Sequence, residues 1–323
     1  MLGAGVSVGA LARRGPPVSA VIAPVDADLT GSVPAWLTVA RSTAGTRCAA
    51  SGLIVAEPAN TARVDFDPVS HAGRGVLLER QSTYYGPASE DAGGTGWTNA
   101  SGITVSPVTL NSPLRVSDTV SRIGGGPQSY SGTQAVGVPS GTGLTQCWLL
   151  RNFNSATSGI LYRDNVASAQ VQATLTWAAE TAGAALVSVV AGAATGGITC
   201  TACGFVDCGG GWYIAWAAFT FPATTSAHYA RINPAQGPVG RYVDVAAVWV
   251  TDADATSPPS YLATAGSAVT RTADVLAIDW AQLAALPLTL VWTPLAGGAA
   301  QSTVVQPGQQ PSALYGRLTR AYQ

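Results

Sequence analysis

The chain has 323 residues, of which only 10% are charged, with 37 glycines, 20 prolines and a formal net charge of −1 at pH 7. All 16 basic residues are arginine, which excludes a phosphate-loop lysine, a Schiff-base lysine and a lysine general base. No basic run extends beyond Arg13-Arg14 and no apolar stretch approaches the roughly 18 residues of a membrane span, so neither nucleic-acid binding nor membrane insertion is expected. Abundant Gly, Pro, Ala, Val, Thr and Ser favour many short strands over helices, whose exposed faces need Glu, Lys and Arg. So little charge also suits a surface covered by neighbouring subunits, and a homo-oligomer is expected.

Residues 1–30 have little periodicity and contain Pro16-Pro17 and Pro24. Their charges follow the apolar run, whereas a signal peptide places them before it. The segment reads as an attachment arm that docks on another subunit, with simple disorder as the alternative. Residues 31–96 read as a small β region, with strands at 36–40, 52–56, 62–66 and 75–78 separated by turn residues such as Asn60 and Asp67-Pro68.

After the Gly-rich break at 93–96, strands are expected at 103–105, 114–120, 130–138, 145–153, 171–177, 185–190, 212–221, 227–232 and 242–250. Spacings of roughly ten residues suit a sandwich or jelly roll, here assigned to 97–262. Between Gln170 and Trp177 the pattern alternates: Val171, Ala173, Leu175 and Trp177 share one face, Gln170, Gln172, Thr174 and Thr176 the other. That is a half-buried antiparallel strand. Residues 242–250 are too apolar for such a half-buried strand and belong near the centre. Residues 263–323 form a C-terminal β extension, with a short helix at 279–286 capped by Asp279 and stopped by Pro287, then strands at 288–294 and 302–306 that pair. The fold class is all-β, a jelly-roll-like antiparallel sandwich.

Candidate chemistry is sparse. Gly5-Val6-Ser7-Val8-Gly9 fits a nucleophile-elbow pattern without the strand and helix that an elbow needs. Cys200, Cys203 and Cys208 are spaced like a metal knuckle, but His71 and His228 are distant in sequence, leaving zinc without a fourth soft ligand. Free thiols are the expectation; a Cys203–Cys208 or Cys200–Cys208 clip is the alternative. Glu57, Asp65, Asp67, Glu79, Glu90, Asp91, Asp164 and Glu180 are the carboxylates from which a glycosidase pair would be drawn. Asp65 and Asp67 beside Arg63 read instead as turn and salt-bridge residues, and Glu79 as a strand end. No EF-hand-like spacing occurs, and no metal or cofactor is expected; a structural calcium is the alternative such folds offer.

The 9 tryptophans and 10 tyrosines carry more information. Sugar rings stack their C–H faces on aromatic planes while amides and arginines hold the hydroxyls. Trp177, Trp216 and Trp249 occupy apolar strand positions and read as core. Tyr84-Tyr85, Trp97, Tyr130, Trp148 with Arg151, Tyr162 with Arg163, and Trp212 lie nearer turns. From these, Trp97, Tyr130, Trp148, Arg151, Tyr84 and Trp212 are the candidate ligand-binding residues, with packing between subunits as the rival role. No catalytic residue is assigned.

The stretch from Pro259-Ser260-Tyr261 to Arg271-Thr272-Ala273-Asp274 resembles the "TSYI-x-T-x-G-x-x-x-TR-x-AD" signature of phage tail-fibre, head-spike and related virion-surface proteins. Five further segments match in the same order. Leu37 to Thr43 resembles the "FTR-x-STAT" opening, and Arg63 to Pro68 the "R-x-DYDP" turn. Gly75 to Glu79 is similar to the "G-LLIEE" strand, Ser89 to Asp91 with Trp97 to "SEDF…W", and Gly211-Trp212-Tyr213 to "GWYR". The chain departs from the pattern at Phe66, at Ser82 to Tyr85 where "TNLL" is usual, and in lacking the large second sandwich after Asp274. The resemblance implies a spike or fibre of a phage or gene-transfer-agent particle, joined to other virion subunits through its N-terminal region. It also implies that the sandwich binds host capsular polysaccharide or lipopolysaccharide. A purely structural joining protein and a capsule depolymerase are the alternatives.

Overall fold

The structure, a computed structural model, describes residues 23–86, 89–92, 97–98, 102–126, 130–134, 143–164, 169–222, 228–234, 239–252, 257–295 and 297–323. The chain is all-β, and its largest unit is an antiparallel sandwich of two sheets. The front sheet runs Thr199–Asp207, Trp212–Thr220, Leu144–Asn152, Tyr242–Thr251, Asp118–Gly124, Thr104–Leu110. The back sheet runs Leu186–Ala191, Ala169–Trp177, Thr157–Asp164, His228–Asn233, Tyr130–Gln134, Trp97–Thr98.

The pairing is nested. Asp118–Gly124 pairs with Tyr242–Thr251, Tyr130–Gln134 with His228–Asn233, Leu144–Asn152 with Trp212–Thr220, and Thr157–Asp164 with Ala169–Trp177. Except within the last pair, successive members alternate between front and back. This is a long hairpin rolled over on itself, the jelly-roll arrangement. The core between the sheets holds Trp148, Leu150, Ile160, Tyr162, Leu175, Phe219 and Val245. The alternation from Gln170 to Trp177 is realised: Val171, Ala173, Leu175 and Trp177 are buried, and the polar positions are half-buried or exposed. Residues 242–250 lie in an inner strand of the front sheet, buried from Val243 onward.

A second layer covers the outer face of the front sheet. There Cys147, Leu149, Trp212, Trp216 and Trp249 pack with Tyr84, Tyr261, Ile54 and Leu110. The outer face of the back sheet has no such cover among the described residues. This asymmetry decides which face of the sandwich is available.

The segments flanking the sandwich in sequence, 31–96 and 263–323, share one sheet rather than standing apart. Its order is Gln301–Val305, Leu288–Thr293, Gly316–Tyr322, Gly73–Leu78, Arg63–Phe66, with Asp26–Asp28 also pairing to Gly316–Tyr322. Leu37–Ala40 pairs with Val275–Ile278 nearby. Together they enclose a core of Leu29, Leu37, Val76, Leu78, Ile278, Leu290 and Leu318, and form the base of the molecule. Gly75 is required here: its φ is +108°, and a Cβ would lie 2.3 Å from the Leu318 carbonyl oxygen.

Three expectations change. Of the 1–30 arm, residues 1–22 and the Gly5 to Gly9 pattern lie outside the described residues, while Asp26–Asp28 and Leu29 belong to the base. The helix at 279–286 is only one 3-10 turn, Trp280–Gln282, although Asp279 caps it as expected by accepting from the Ala281 N–H. The chain must re-enter the base sheet at Leu288, leaving no length for a second turn. The strand expected at 114–120 begins at Asp118, because Ser112 to Ser117 form a turn held by Ser112 and Asn111. The pairing of 288–294 with 302–306 is present.

Gly316–Tyr322 is the middle strand of the base sheet, and Leu318 and Ala321 are fully buried. Ending the chain at residue 315 is therefore expected to unfold the base. Starting it at residue 23, ahead of the first described strand, is expected to leave thermal unfolding unchanged. Circular-dichroism melts of both truncations test this.

Candidate functional site

Where the base meets the sandwich, charged residues from distant parts of the chain converge in the interior. Asp274 accepts from Arg41 Nη1 through Oδ1 at 2.9 Å and from Arg63 Nη2 through Oδ2 at 2.5 Å. Glu79 accepts from Arg63 Nη1 at 2.6 Å, from the Ser260 N–H at 2.9 Å and from the Ser260 hydroxyl at 2.7 Å. Arg271 Nη1 lies 3.6 Å from both carboxylates, and its Nη2 donates to the Arg80 carbonyl and to Ser82 Oγ. These side chains are almost wholly inaccessible.

Burial raises the Glu79 pKa, but Arg271, Arg63 and the Ser260 hydrogen bonds outweigh it and hold the carboxyl well below the usual range. Burial lowers the Arg63 pKa, yet Glu79 and Asp274 bring the net shift upward. Glu79 therefore stays ionised at neutral pH beside Arg63, and the oxygens of both carboxylates are taken up by partners inside the chain. The group is a structural lock.

The other carboxylates considered for catalysis are also engaged. Glu57 pairs with Arg47 at 2.6 Å and Asp65 with Arg317 at 2.8 Å; Asp67 pairs with Arg74, Glu90 with Arg115 and Glu180 with Arg241. Asp164 is buried inside the sandwich. Among the described residues, no three His, Cys, Asp or Glu side chains converge as a metal site would require.

A cleft of about 330 Å³ adjoins the lock, walled by Cys48, Ile54, Leu77, Cys208, Ile214 and Pro259. Burial pushes the Cys48 thiol up to about 11 and the Cys208 thiol to about 12, so both stay protonated and unreactive at neutral pH. The arginines at its rim, Arg47, Arg74 and Arg317, have the carboxylate partners just described. All five cysteines are free. Cys200 and Cys203 face the inter-sheet core and Cys208 packs in the opposite layer, which precludes the knuckle and either clip.

The aromatic candidates do not assemble into a ligand surface. Trp148 is fully buried in the middle of the front sheet, its indole N–H bonded to Gln146 Oε1. Trp97 is half-buried and meets it edge-on, with ring centroids 5.8 Å apart. Tyr84 is fully buried and donates to the Ser260 carbonyl at 2.6 Å. Trp212 is buried and donates to the Asn111 carbonyl at 2.8 Å. Arg151 is Trp212's cross-strand neighbour, and its guanidinium lies under Gly183. Tyr130 pairs with Ile232, but its side chain lies outside the described residues. Tyr84, Trp148 and Trp212 are thus core residues, because both faces of the front sheet are covered. Trp177, Trp216 and Trp249 are buried as expected.

The available surface is the outer face of the back sheet. Register places Thr157, Gly159, Leu161 and Arg163 there, beside Gln170, Gln172, Thr174 and Thr176 on one flank and Tyr229, Arg231 and Asn233 on the other. Gly159 opens a trough that Gln172 fills: a Cβ at Gly159 would lie 2.4 Å from the Gln172 amide carbon. The Arg231 guanidinium carbon sits 5.6 Å from the Tyr229 ring centroid. Burial and then the charge of Arg163 lower the Arg231 pKa, with Tyr229 opposing. Arg163 Nε and Asn233 Oδ1 are buried without a hydrogen-bond partner. No outward position on these three strands is Asp or Glu.

The polar row from Gln170 to Thr176 is legible in the sequence and Arg163 stands beside Tyr162 there, but Arg163, Tyr229, Arg231 and Asn233 are not among the candidate residues that the sequence marks. The signal was the same alternation, hidden in Thr157–Asp164 by a glycine and an apolar Leu161 on the outer face. No family model matches the chain, and no curated protein matches it.

Glu79→Gln is expected to cost about 3–5 kcal/mol at pH 7, since it leaves buried arginine charge uncompensated. The folded pKa of Glu79 lies below its ordinary value of 4.5. Its stabilisation is therefore complete above pH 4.5 and is lost as pH falls through the folded value. Urea unfolding across pH is expected to give a flatter acid limb for the variant than for the wild type.

Proposed function

We propose that this chain is a virion-surface spike or fibre protein that binds a host surface polysaccharide through the outer face of its back sheet, without turning it over. The observation that carries the reading is that face: a sheet surface that no second layer covers among the described residues, with two arginines, a tyrosine and several amide and hydroxyl side chains around a buried Leu161. Such groups suit a polyhydroxylated ligand, for which side-chain amides and guanidinium groups supply directional hydrogen bonds. Support for binding over hydrolysis comes from the lack of carboxylates at the outward positions of the three strands. Both schemes of glycoside hydrolysis use a pair of them across the bond.

The virion assignment rests on the order of motifs from Leu37 to Asp274. Arg41, Arg63, Glu79, Ser260, Arg271 and Asp274, all from those motifs, meet in the buried lock. A rigid joint there supports a division of labour in which the base attaches and the sandwich faces outward. Val304, Thr289 and Tyr322 align across the base sheet, with Val304 and Tyr322 exposed, and offer a partly apolar surface for a neighbouring subunit.

Single sugar contacts are weak, so adhesion would depend on several copies per particle acting together. The full chain, immobilised at high density, is expected to retain a subset of bacterial capsular polysaccharides or lipopolysaccharides in an array and to release no new reducing ends. Reproducible cleavage would favour a depolymerase. Folded protein that retains no polysaccharide would favour a joining role.

A further inference from the structure

A strand at the edge of a sheet presents unpaired backbone N–H and C=O groups, which proteins guard with proline, charge or a short strand. The strands that end the two sandwich sheets differ in this respect. Thr104–Leu110, at one end of the front sheet, carries Pro107, and Trp97–Thr98, at one end of the back sheet, has only two residues. At the other ends the guards are missing. Thr199–Asp207 has nine residues, no proline and no charge before Asp207. Leu186–Ala191 has neither proline nor charge. Among the described residues each pairs with a strand on one side only. The bulge in Thr199–Asp207 lies near its start, between Cys200 and Ala202, and leaves residues 203–207 in regular register.

These two strands lie on the same side of the sandwich, where the Cys203 thiol donates to the Val189 carbonyl at 3.4 Å. From residue 181 to residue 206 the chain contains no charged residue. Val187, Val190 and Phe205 are 59%, 57% and 37% exposed. Phe205 is held edge-on against Tyr213, with ring centroids 5.9 Å apart, and so offers a fixed aromatic anchor of the kind enriched at interfaces. The lack of charge bears on the occupant. A two-fold interface sets a surface against its own copy, so a charge near the axis meets its like. The base face carries Asp26 and Arg320, and the cleft rim carries Arg47, Arg74 and Arg317. The side formed by Leu186–Ala191 and Thr199–Asp207 has only the terminal Asp207. Antiparallel pairing sets that residue opposite the start of the second strand rather than its own counterpart.

We infer that the chain forms a two-fold dimer in which Thr199–Asp207 pairs antiparallel with the same strand of a second copy, joining the two front sheets into one. The axis relating two antiparallel strands stands perpendicular to their sheet, so both copies keep the same face on the same side. The back-sheet faces then point one way, and the covered front-sheet faces with their bases point the other. The inference does not need the polysaccharide reading; where that reading holds, a dimer presents two binding faces together and gains by avidity. Nine residues at about 3.4 Å each give a contact roughly 30 Å long and one strand deep. That is small for a stable interface, and a dissociation constant in the micromolar range is expected.

The test is sedimentation velocity of the full chain across the micromolar range, with amide hydrogen exchange measured at the same concentrations. The mass is expected to rise from one copy to two with concentration. Exchange within residues 199–207 is expected to slow as it does, because strand pairing protects those amides. Phe205→Lys and Val187→Lys each remove an apolar contact and set like charges together across the axis. Each is expected to raise the dimer Kd at least roughly 10-fold. Val304→Lys places the same charge on an exposed position of the base sheet's outer strand and is expected to leave the Kd unchanged. Thermal melts establish that each variant is folded, and either sandwich variant alone suffices should the other fail to fold.

A single copy at every concentration would overturn the inference, as would a closed trimer, which has no two-fold axis. A dimer whose exchange at 199–207 does not change would overturn the strand pairing. A dimer that survives both sandwich variants would overturn the site, and one lost only in Val304→Lys would move the interface to the base. None of these outcomes bears on retention of polysaccharide by the array, which decides the preceding reading separately.

Discussion

The structure depends on one buried arrangement, the two carboxylates of Glu79 and Asp274 held among Arg41, Arg63 and Arg271. Removing these charges from water is expensive, and only near-complete hydrogen bonding makes it tolerable. Asp274 meets the requirement with both oxygens: Oδ1 binds Arg41, while Oδ2 binds Arg63 and the Glu79 N–H at 2.7 Å. The Asp274 N–H in turn donates to the Glu79 carbonyl at 2.9 Å. A net cluster charge of one positive unit remains, softened by the carbonyls of Thr43, Thr46, Pro58 and Arg80. Apolar residues of similar size would fill the space, but would not determine which distant segments must meet. The cluster admits only one partner set, and so fixes how residues 41–79 dock against residues 260–274.

That lock sits at the joint between two differently built halves. Ser82–Tyr85 leaves the base immediately after Glu79 and pairs with both Val269–Arg271 and the end of Tyr242–Thr251 in the front sheet. Tyr84 and Tyr261 then continue into the layer covering that sheet. The front sheet is therefore buried on both faces by the connection to the base. The back sheet touches the rest of the chain through its inner face, and its outer side chains are not needed to hold the joint. Side chains can change there with little effect on the core, the usual relation between a rigid scaffold and a variable surface.

Much of this organisation was legible in the sequence. Period-two alternation located the strand Ala169–Trp177 and oriented it correctly, because one face is core and the other water. The predominantly apolar run from Tyr242 to Val250 announced a strand near the centre of the sandwich. The spaced motifs contain Arg41, Arg63, Glu79, Arg271 and Asp274 without revealing that they touch; contacts such as Arg41 to Asp274, across more than 200 positions, leave no local period. Aromatic exposure was the least legible property. Trp148 and Trp212 stand near arginines and turns, but Trp148 is buried between the two sheets and Trp212 under the second layer over the front sheet, neither of which local sequence encodes. The helix read at 279–286 failed for a similar reason: Ala and Leu favour helix, while the base sheet needs the chain back in extended form at Leu288.

Low overall charge acquires a different meaning once the positions are known. In the base and joint, arginines and carboxylates meet in pairs and in the buried cluster of five, and the sandwich adds pairs such as Arg122 with Asp244 and Arg241 with Glu180. The described sandwich core is apolar, and its inner carboxylate, Asp164, is buried. On the outer back sheet only arginine occurs among the charged residues of the three central strands. Counting residues gives a nearly neutral protein; placing them gives a joint that keeps one positive charge in excess and a back-sheet face on whose central strands arginine is the charged residue. Inside the lock three arginines this close are stable only with Glu79 and Asp274 between the guanidinium groups, so the joint needs two carboxylates from segments nearly 200 positions apart.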